Sequence, residues 1–397
     1  MFRHLMKLIW KRKSRNLMLS LEILLAFLLV FGIAAFGTRC YQLYTMPTGI
    51  TTDDVWSVSI EVANNVRVKD DPQVLDRFKR ALMDLPEVER VAFSNFPPFA
   101  NSRMTEDFVV PGGAKVGTDE MEVSDDYFAV TGTPLVEGHG FSAADDGATA
   151  LPVVINRRLA KALFPGQSAL GKAFVKDDRN PAKRTPMKVV GIVDEYRTRG
   201  ELTAPDNFAL VRWTPKGDDP QTILLKLKPG VPRAFESALV AKLKLVHNDW
   251  GYAVSPLSDM RATMLREDLI PLVVLSVIAA FLLVMVAFGL FGVLWQNTTL
   301  RIPEIGLRRA VGAGAGDIYR QIIGEQLLLS SFGMLIALVL LVQLPITGAL
   351  GEALSWGVFG AATALSMGMI YLLSLLCALY PGWRASRLSP TQALHYE

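Results

Sequence analysis

Four apolar runs, at residues 17–37, 269–294, 321–344 and 355–380, are each long enough to cross a bilayer as a helix. A hydrocarbon core of ~30 Å takes about 20 predominantly apolar residues, and lipid leaves a spanning backbone to satisfy its own hydrogen bonds, which a helix does. Everything between these runs must face water. A chain that is 51% hydrophobic and only 20% charged, with mean hydropathy +0.30, agrees with that reading and is too apolar for a disordered chain. Basic residues precede the first run, as they do in a signal peptide. Its length nonetheless exceeds the ~7–15 residues of such a segment, and Gly37-Thr38-Arg39-Cys40 offers no A-x-A-like cleavage site, so it reads as a retained anchor.

Lys and Arg near the run ends set the orientation. Arg3, Lys7, Lys11, Arg12, Lys13 and Arg15 precede the first run; Arg301, Arg308, Arg309 and Arg320 follow the second; Arg384 and Arg387 follow the fourth. Residues 345–354, between the third and fourth, carry no Lys or Arg. Both ends and the loop after the second run are therefore expected in the cytoplasm, and residues 38–268 outside. The net charge of +3 conceals this asymmetry, because the 231 external residues hold 29 basic and 32 acidic side chains. With no broad basic excess, a nucleic-acid partner is not expected.

The external segment is long enough for a core of its own. Residues 55–62 alternate as a strand, while Val74, Leu75, Phe78, Leu82 and Leu85 recur at helical spacing within residues 72–85. Further strands are expected at 86–93, 152–155, 188–193 and 223–227, with helices at 157–164 and 232–245. The fold class is thus a membrane protein of four transmembrane α-helices, one N-terminal and three C-terminal, with a large α+β domain between the first and second. Residues 143–147, 176–186 and 215–220, rich in Asp, Gly and Pro, read as surface loops.

Few residues suggest chemistry. Cys40 and Cys377 are too few for a disulfide scaffold or a four-cysteine metal site, and His4, His139, His247 and His395 are scattered. Gly166 to Lys172 has the G-x-x-x-x-G-K spacing of a phosphate loop, but Ala173 stands where a magnesium-binding hydroxyl belongs. Ser168 lacks the G-x-S-x-G frame of a nucleophile elbow. The acidic doublets Asp53-Asp54, Asp125-Asp126, Asp145-Asp146, Asp177-Asp178 and Asp218-Asp219 show no alternating calcium loop with a distal Glu, and read as solvated turns. No catalytic, cofactor-binding or metal-binding residue is assigned. Glu22 and Glu325 fall near run ends, shallow enough to snorkel or pair with nearby cations. The small pairs Ser276/Ala280, Gly333/Ala337 and Gly360/Ala364 would permit close helix contact.

The loop after the second run is more informative. Pro303 and Glu304 suit a first helical turn, and Arg308 and Arg309 a last one, matching the helix dipole. Leu307, Ala310 and Val311 form an apolar strip; Gly312, Gly314 and Gly316 break the helix, and Asp317 is placed to cap the next. Such an element either lies on anionic lipid or docks a cytoplasmic partner.

Arg301-Ile302-Pro303-Glu304-Ile305-Gly306-Leu307-Arg308-Arg309-Ala310-Val311-Gly312-Ala313 resembles the R-x-x-E-I-G-x-R-R-A-x-G-A motif of the MacB/FtsX-like ABC transporter permeases. Pro381, Arg384 and Ala385, followed by Pro390, Ala393, Leu394 and Glu397, resemble that family's terminal pattern. Val123 to Phe128, Leu135 to Gly138, Leu163 to Gly166 and Val189 to Val193 are similar to its MacB-type periplasmic domain. The resemblance implies residues 1–37 as cytoplasmic N-terminus and first span, and 38–268 as the periplasmic domain, with porter-like ends and a sabre-like insertion at about 110–222. Residues 269–397 would be the FtsX-like permease domain. It also implies an inner-membrane permease without catalysis of its own, working by mechanotransmission. ATP and magnesium would be bound by a separately encoded ATPase present in two copies, which 303–313 would dock. A second permease chain, a periplasmic adaptor and an outer-membrane channel would complete an exporter of drugs, peptides or other envelope substrates. Regulation of an envelope hydrolase, or lipoprotein extraction, is the alternative within the same family.

Overall fold

A computed structural model describes residues 13–62, 71, 73–177, 184–214 and 220–387, with side chains of the first helix from Leu19 onward. Arg3, Lys7, Lys11, Arg12, His4, the motif from Pro390 to Glu397, Asp178 and the doublet Asp218-Asp219 lie outside the described residues. The chain divides into two compact units, one of residues 1–42 and 269–397, the other of 43–268.

Among the described residues four helices are long and apolar enough to cross a membrane: α1 (Lys13–Thr45), α6 (Leu257–Thr299), α8 (Ala315–Leu341), which the short α9 (Gln343–Thr347) follows, and α10 (Trp356–Ser386). Two of them, α1 and α6, overrun their apolar run at both ends, and α8 and α10 at one, because hydropathy stops at the membrane edge whereas helical hydrogen bonding does not. In the first unit, Leu19, Ile23, Phe27 and Phe31 of α1 pack with Leu290 and Leu294 of α6, Met334 and Ala337 of α8, and Val358, Ala362 and Ile370 of α10. Of the small pairs, only Gly333/Ala337 makes a close contact: a Cβ at Gly333 would stand 2.9 Å from the Ser20 carbonyl oxygen. Ser276/Ala280 and Gly360/Ala364 are exposed, so the spacing alone was no guide to packing. Helices α8 and α10 add hydroxyl pairs, Ser330 to Ser374 at 2.7 Å and Ser331 to Tyr371 at 2.8 Å.

The second unit is built on β1 (Val55–Glu61), α2 (Val74–Met83), β2 (Val88–Ser94), β10 (Thr222–Leu227), α5 (Phe235–Val246) and β11 (Gly251–Pro256). The strands pair antiparallel in the order β11-β1-β10-β2, a split βαββαβ frame with α2 and α5 on one face. Alternation assigns the faces. Trp56, Val58, Ile60, Val91, Phe93, Ile223 and Leu225 meet Phe78, Leu82, Leu239 and Leu243 of the helices, while Val55, Ala92 and Leu224 enter a second core on the opposite face.

Between β2 and β10 the chain runs through β3 (Thr105–Val109), β4 (Lys115–Val123), α3 (Tyr127–Thr131), β5 (Leu135–Gly138), β6 (Leu151–Asn156), α4 (Arg157–Leu163), β7 (Ala173–Lys176), β8 (Thr185–Val193) and β9 (Phe208–Arg212). Strands β4-β3-β7-β8-β6-β9 follow one another, and a parallel β4–β9 pairing from Asp119↔Phe208 to Val123↔Arg212 closes them into a six-stranded ring. Val153 and Ile155 face one core with Ala209, Val211 and α4; Val154, Phe208 and Leu210 face the other with Tyr127 and Tyr196. The frame therefore carries an inserted barrel formed by the described residues between 95 and 221.

Candidate functional site

Helix α7 (Ile302–Ala310) occupies the loop between α6 and α8. Pro303 lies in its first turn with Glu304, and Arg308 and Arg309 in its last. Ile302, Ile305 and Gly306 are buried, whereas Leu307 is 62% and Val311 83% exposed. Two apolar faces thus serve two ends, one seated on the bundle and one facing outward. Ala310 is the last helical residue, Val311 caps it, and Gly312 turns the chain at φ 104°, a backbone that favours glycine. Ala313 packs beside Ile305, Ile318 and Ala385. Helix α8 starts after Gly314, whose N–H donates to the Asp317 carboxylate at 3.2 Å. Gly316 thus belongs to the helix rather than to its break.

The charges of α7 are tied inward. Arg308 donates to Glu304 at 2.8 Å and to Gln321 of α8 at 2.6 Å, and Arg309 donates to the Ser386 carbonyl of α10. Gln321 in turn donates to Glu325 at 2.9 Å, and Glu325 pairs with Arg301. This chain of charges lines a cavity of about 60 Å³, lined also by the fully buried Gln326, whose amide has no partner among the described residues. Outside it, Leu307, Arg308, Val311, Ala313, Asp317, Ile318 and Gln321 line an open groove of about 380 Å³. Glu325 is thus paired, while Glu22 abuts Gly289 of α6, where a Cβ would stand 2.1 Å from its Oε1.

A second polar node lies within the external unit. Arg197 is 3% exposed. Its guanidinium donates to the carbonyls of Leu43 (3.2 Å) at the end of α1, of Pro47 (3.2 Å) and Met46, and of Glu201 (2.6 Å) and Thr203 (3.3 Å). The Leu43 carbonyl belongs to the last turn of α1 and also accepts the Met46 N–H at 3.2 Å, and a cation there meets the negative end of the helix dipole. The side chain of Glu201 is buried and takes an ion pair from Arg261 of α6, and the neighbouring Gly200 rests on Met264. One loop therefore grips the external ends of two helices. Sequence reading missed it, since Glu195-Tyr196-Arg197-Thr198-Arg199-Gly200 has the composition of a solvated turn.

Of the acidic doublets, Asp125, Asp126, Asp146 and Asp177 are ion-paired rather than merely solvated. Arg212 holds Asp125 at 2.6 and 2.7 Å and Asp146 at 2.7 Å, Lys79 meets Asp126, and Asp177 meets Lys115 at 2.5 Å and Arg184 at 2.9 Å. The Lys115 ammonium draws the Asp177 carboxyl below its ordinary range. The Gly166 to Lys172 segment runs from α4 into β7, a helix–loop–strand order opposite to that of a phosphate loop.

A family model for the MacB-like periplasmic core domain matches residues 20–242, and one for the FtsX-like permease C-terminal region matches 276–390. A macrolide export ATP-binding/permease protein MacB 1/2 of Paracoccus denitrificans (strain Pd 1222) is 27% identical over 299 residues, covering 71% of this chain and 42% of that one. A macrolide export ATP-binding/permease protein MacB of Shewanella sp. (strain ANA-3) is 25% identical over 421 residues, covering 97% and 60%. The chain thus spans between two-fifths and three-fifths of the length of these relatives. The crystal structure of the periplasmic region of MacB from Actinobacillus actinomycetemcomitans superposes with a TM-score of 0.40 at 15% identity, over 56% of this chain and 97% of that one.

Proposed function

The chain belongs to the MacB/FtsX-like ABC transporter permeases, and we propose that it is the membrane subunit through which a separate cytoplasmic ATPase drives motion of the external domain. The observation that carries this reading is α7, seated by Ile302 and Ile305 while Leu307 and Val311 stand exposed beside an open groove. In the proposed complex, residues 303–313 dock one of two ATPase subunits, which bind ATP and magnesium. An exposed aliphatic pair with polar neighbours fits a partner's groove, the buried aliphatics acting as anchor and the charges fixing register.

Four membrane-crossing helices and a MacB-like periplasmic domain mark a multi-pass inner-membrane protein. Within it we place both termini and α7 in the cytoplasm and residues 38–268 in the periplasm, on the basic residues flanking the spans. The most apolar stretch of α6 is only 6% buried within the chain. Such a surface needs lipid or another helix, which supports a second permease chain beside it. The four-stranded frame serves as the porter-like part and the inserted barrel as the sabre-like part. An adaptor and an outer-membrane channel complete a tripartite exporter of drugs, peptides or other envelope substrates.

Leu307→Asp with Val311→Asp tests the docking surface, because both side chains are exposed and their loss should change stability by less than about 0.5 kcal/mol. The variant should insert normally yet fail to copurify with an ATPase from native membranes. Unchanged copurification and transport would refute the assignment.

A further inference from the structure

At one end of the bundle, α6 and α10 build a surface that docking of an ATPase does not explain. Phe291 and Trp295 of α6 and Tyr380 and Trp383 of α10 form a continuous ring stack. Trp295 and Tyr380 lie 5.8 Å apart at 7°, and Tyr380 and Trp383 lie 6.2 Å apart at 28°. Two arginines complete it, with Arg384 4.5 Å over the Trp295 ring and Arg387 4.5 Å over the Trp383 ring. Among the described residues neither guanidinium has a carboxylate partner. A guanidinium lying on a ring keeps its N–H edges free, which is the geometry for bidentate donation to phosphate oxygens.

The order along α10 indicates what lies there. Leu372, Leu376 and Leu379 are exposed, then Tyr380 and Trp383, then Arg384 and Arg387. Their spacing keeps them on one side of the helix, so one stripe passes from aliphatic to aromatic to cationic. Trp295 directly follows the apolar run of α6, and Tyr380 ends that of α10. Rings at that level belong to the membrane–water interface. An acyl chain, a glycerol backbone and a phosphodiester follow the same order.

We propose that Trp295, Tyr380, Trp383, Arg384 and Arg387 form a binding site for one anionic phospholipid, its phosphate held between the two ring-stacked guanidiniums and an acyl chain laid along Leu379, Leu376 and Leu372. The proposal rests on the membrane reading of the chain but not on its ATPase. A phospholipid whose headgroup amine offsets the phosphate charge gains less here, because among the described residues the two cations have no acid to share.

Native mass spectrometry of the full chain in mild detergent, titrated with phosphatidylglycerol or phosphatidylcholine of matched acyl chains, tests it. The parent should retain one phosphatidylglycerol with about tenfold preference, because cations near the surface attract anionic headgroups. Arg384→Gln with Arg387→Gln should reduce that preference to within about twofold while phosphatidylcholine binding stays the same. If that double variant melts early, Arg384→Lys with Arg387→Lys keeps the charge but loses the stacked fork, and should fall in between. Equal binding of both lipids by the parent, an undiminished preference in the Gln or Lys variants, or displacement by millimolar inorganic phosphate would overturn the site. A Gln variant that keeps its lipid preference but loses the ATPase would assign the surface to the protein partner instead. Failure of the Leu307/Val311 experiment leaves this result untouched.

Discussion

Arg197 in the external unit and Arg301 in the bundle unit are both withdrawn from water, yet they are held in opposite ways. Arg197 donates mainly to backbone carbonyls, whose positions are fixed by α1 and the turn around Glu201. Arg301 meets Glu325, which also accepts from Gln321, which accepts from Arg308, which pairs with Glu304. A guanidinium surrounded by backbone cannot exchange partners without moving the chain. A row of side chains can re-pair by rotamer changes alone. The node in the second unit is thus held by backbone, and the bundle node by side chains alone.

The comparison breaks first at Arg197→Ala. Orphaning several buried carbonyls should destabilise the protein by on the order of 3 kcal/mol, read from urea or thermal unfolding of the purified chain, with Arg197→Lys restoring only part. If the alanine variant is as stable as the parent, the grip does not exist. Next in size is Glu325→Ala, which leaves Arg301 in a site where the ion pair is 18% and 13% exposed; a loss of about 2–3 kcal/mol is expected. Arg301→Met combined with Glu325→Leu should cost less than the single change, because the pair's desolvation is relieved with it. A double variant worse than either single one would show that the network is needed as charges.

Two hydroxyl pairs repeat the contrast at smaller scale. Tyr127 and Tyr196 meet at 2.6 Å in the external core, and Tyr196→Phe should cost about 1 kcal/mol. Burial pushes both phenols above their ordinary range. Their protonated forms therefore favour folding. That contribution is complete below pH ~10, the ordinary tyrosine value, and falls as the pH climbs beyond it. Unfolding measured across that range should show a shallower decline in Tyr196→Phe. In the bundle, Ser330→Ala removes the 2.7 Å bond to Ser374, and about 0.6 kcal/mol is expected, as for other hydrogen bonds between membrane helices. An effect as large as that of the tyrosine would reverse the ranking.

The spans and five of the six elements of the βαββαβ frame could be read from sequence because each obeys one period, whereas β11 (Gly251–Pro256) is not among the expected strands. Val74, Leu75, Phe78 and Leu82 recur as a helix must, and Trp56, Val58 and Ile60 alternate as a strand must. The barrel is harder to read. Strand β4 is Lys-Val-Gly-Thr-Asp-Glu-Met-Glu-Val, apparently a charged loop, yet Thr118, Asp119, Glu120 and Met121 are all buried in succession. Arg103 and Thr105 satisfy Asp119 at 2.6 and 2.9 Å, and Lys176 reaches Glu120 at 3.0 Å. Burial of an acid depends on partners tens of residues away, and no local pattern records them. The same holds for the candidate site. The amphipathic α7 was visible in the spacing of its charges and leucine, but the pairing of Arg308 with Gln321 and the grip of Arg197 on Leu43 are tertiary facts.

The inserted barrel leaves the frame after Ser94 and returns at Thr222, and these two residues are register partners in the β2–β10 pairing. The entry and exit of more than a hundred residues therefore stand side by side, where a two-residue hairpin turn would suffice. Natural variation can thus treat the barrel as an exchangeable cassette, trading one inserted module for another while the frame is inherited unchanged. The graft has one requirement: any replacement must cover Val55, Ala92 and Leu224, which the present barrel shields from water.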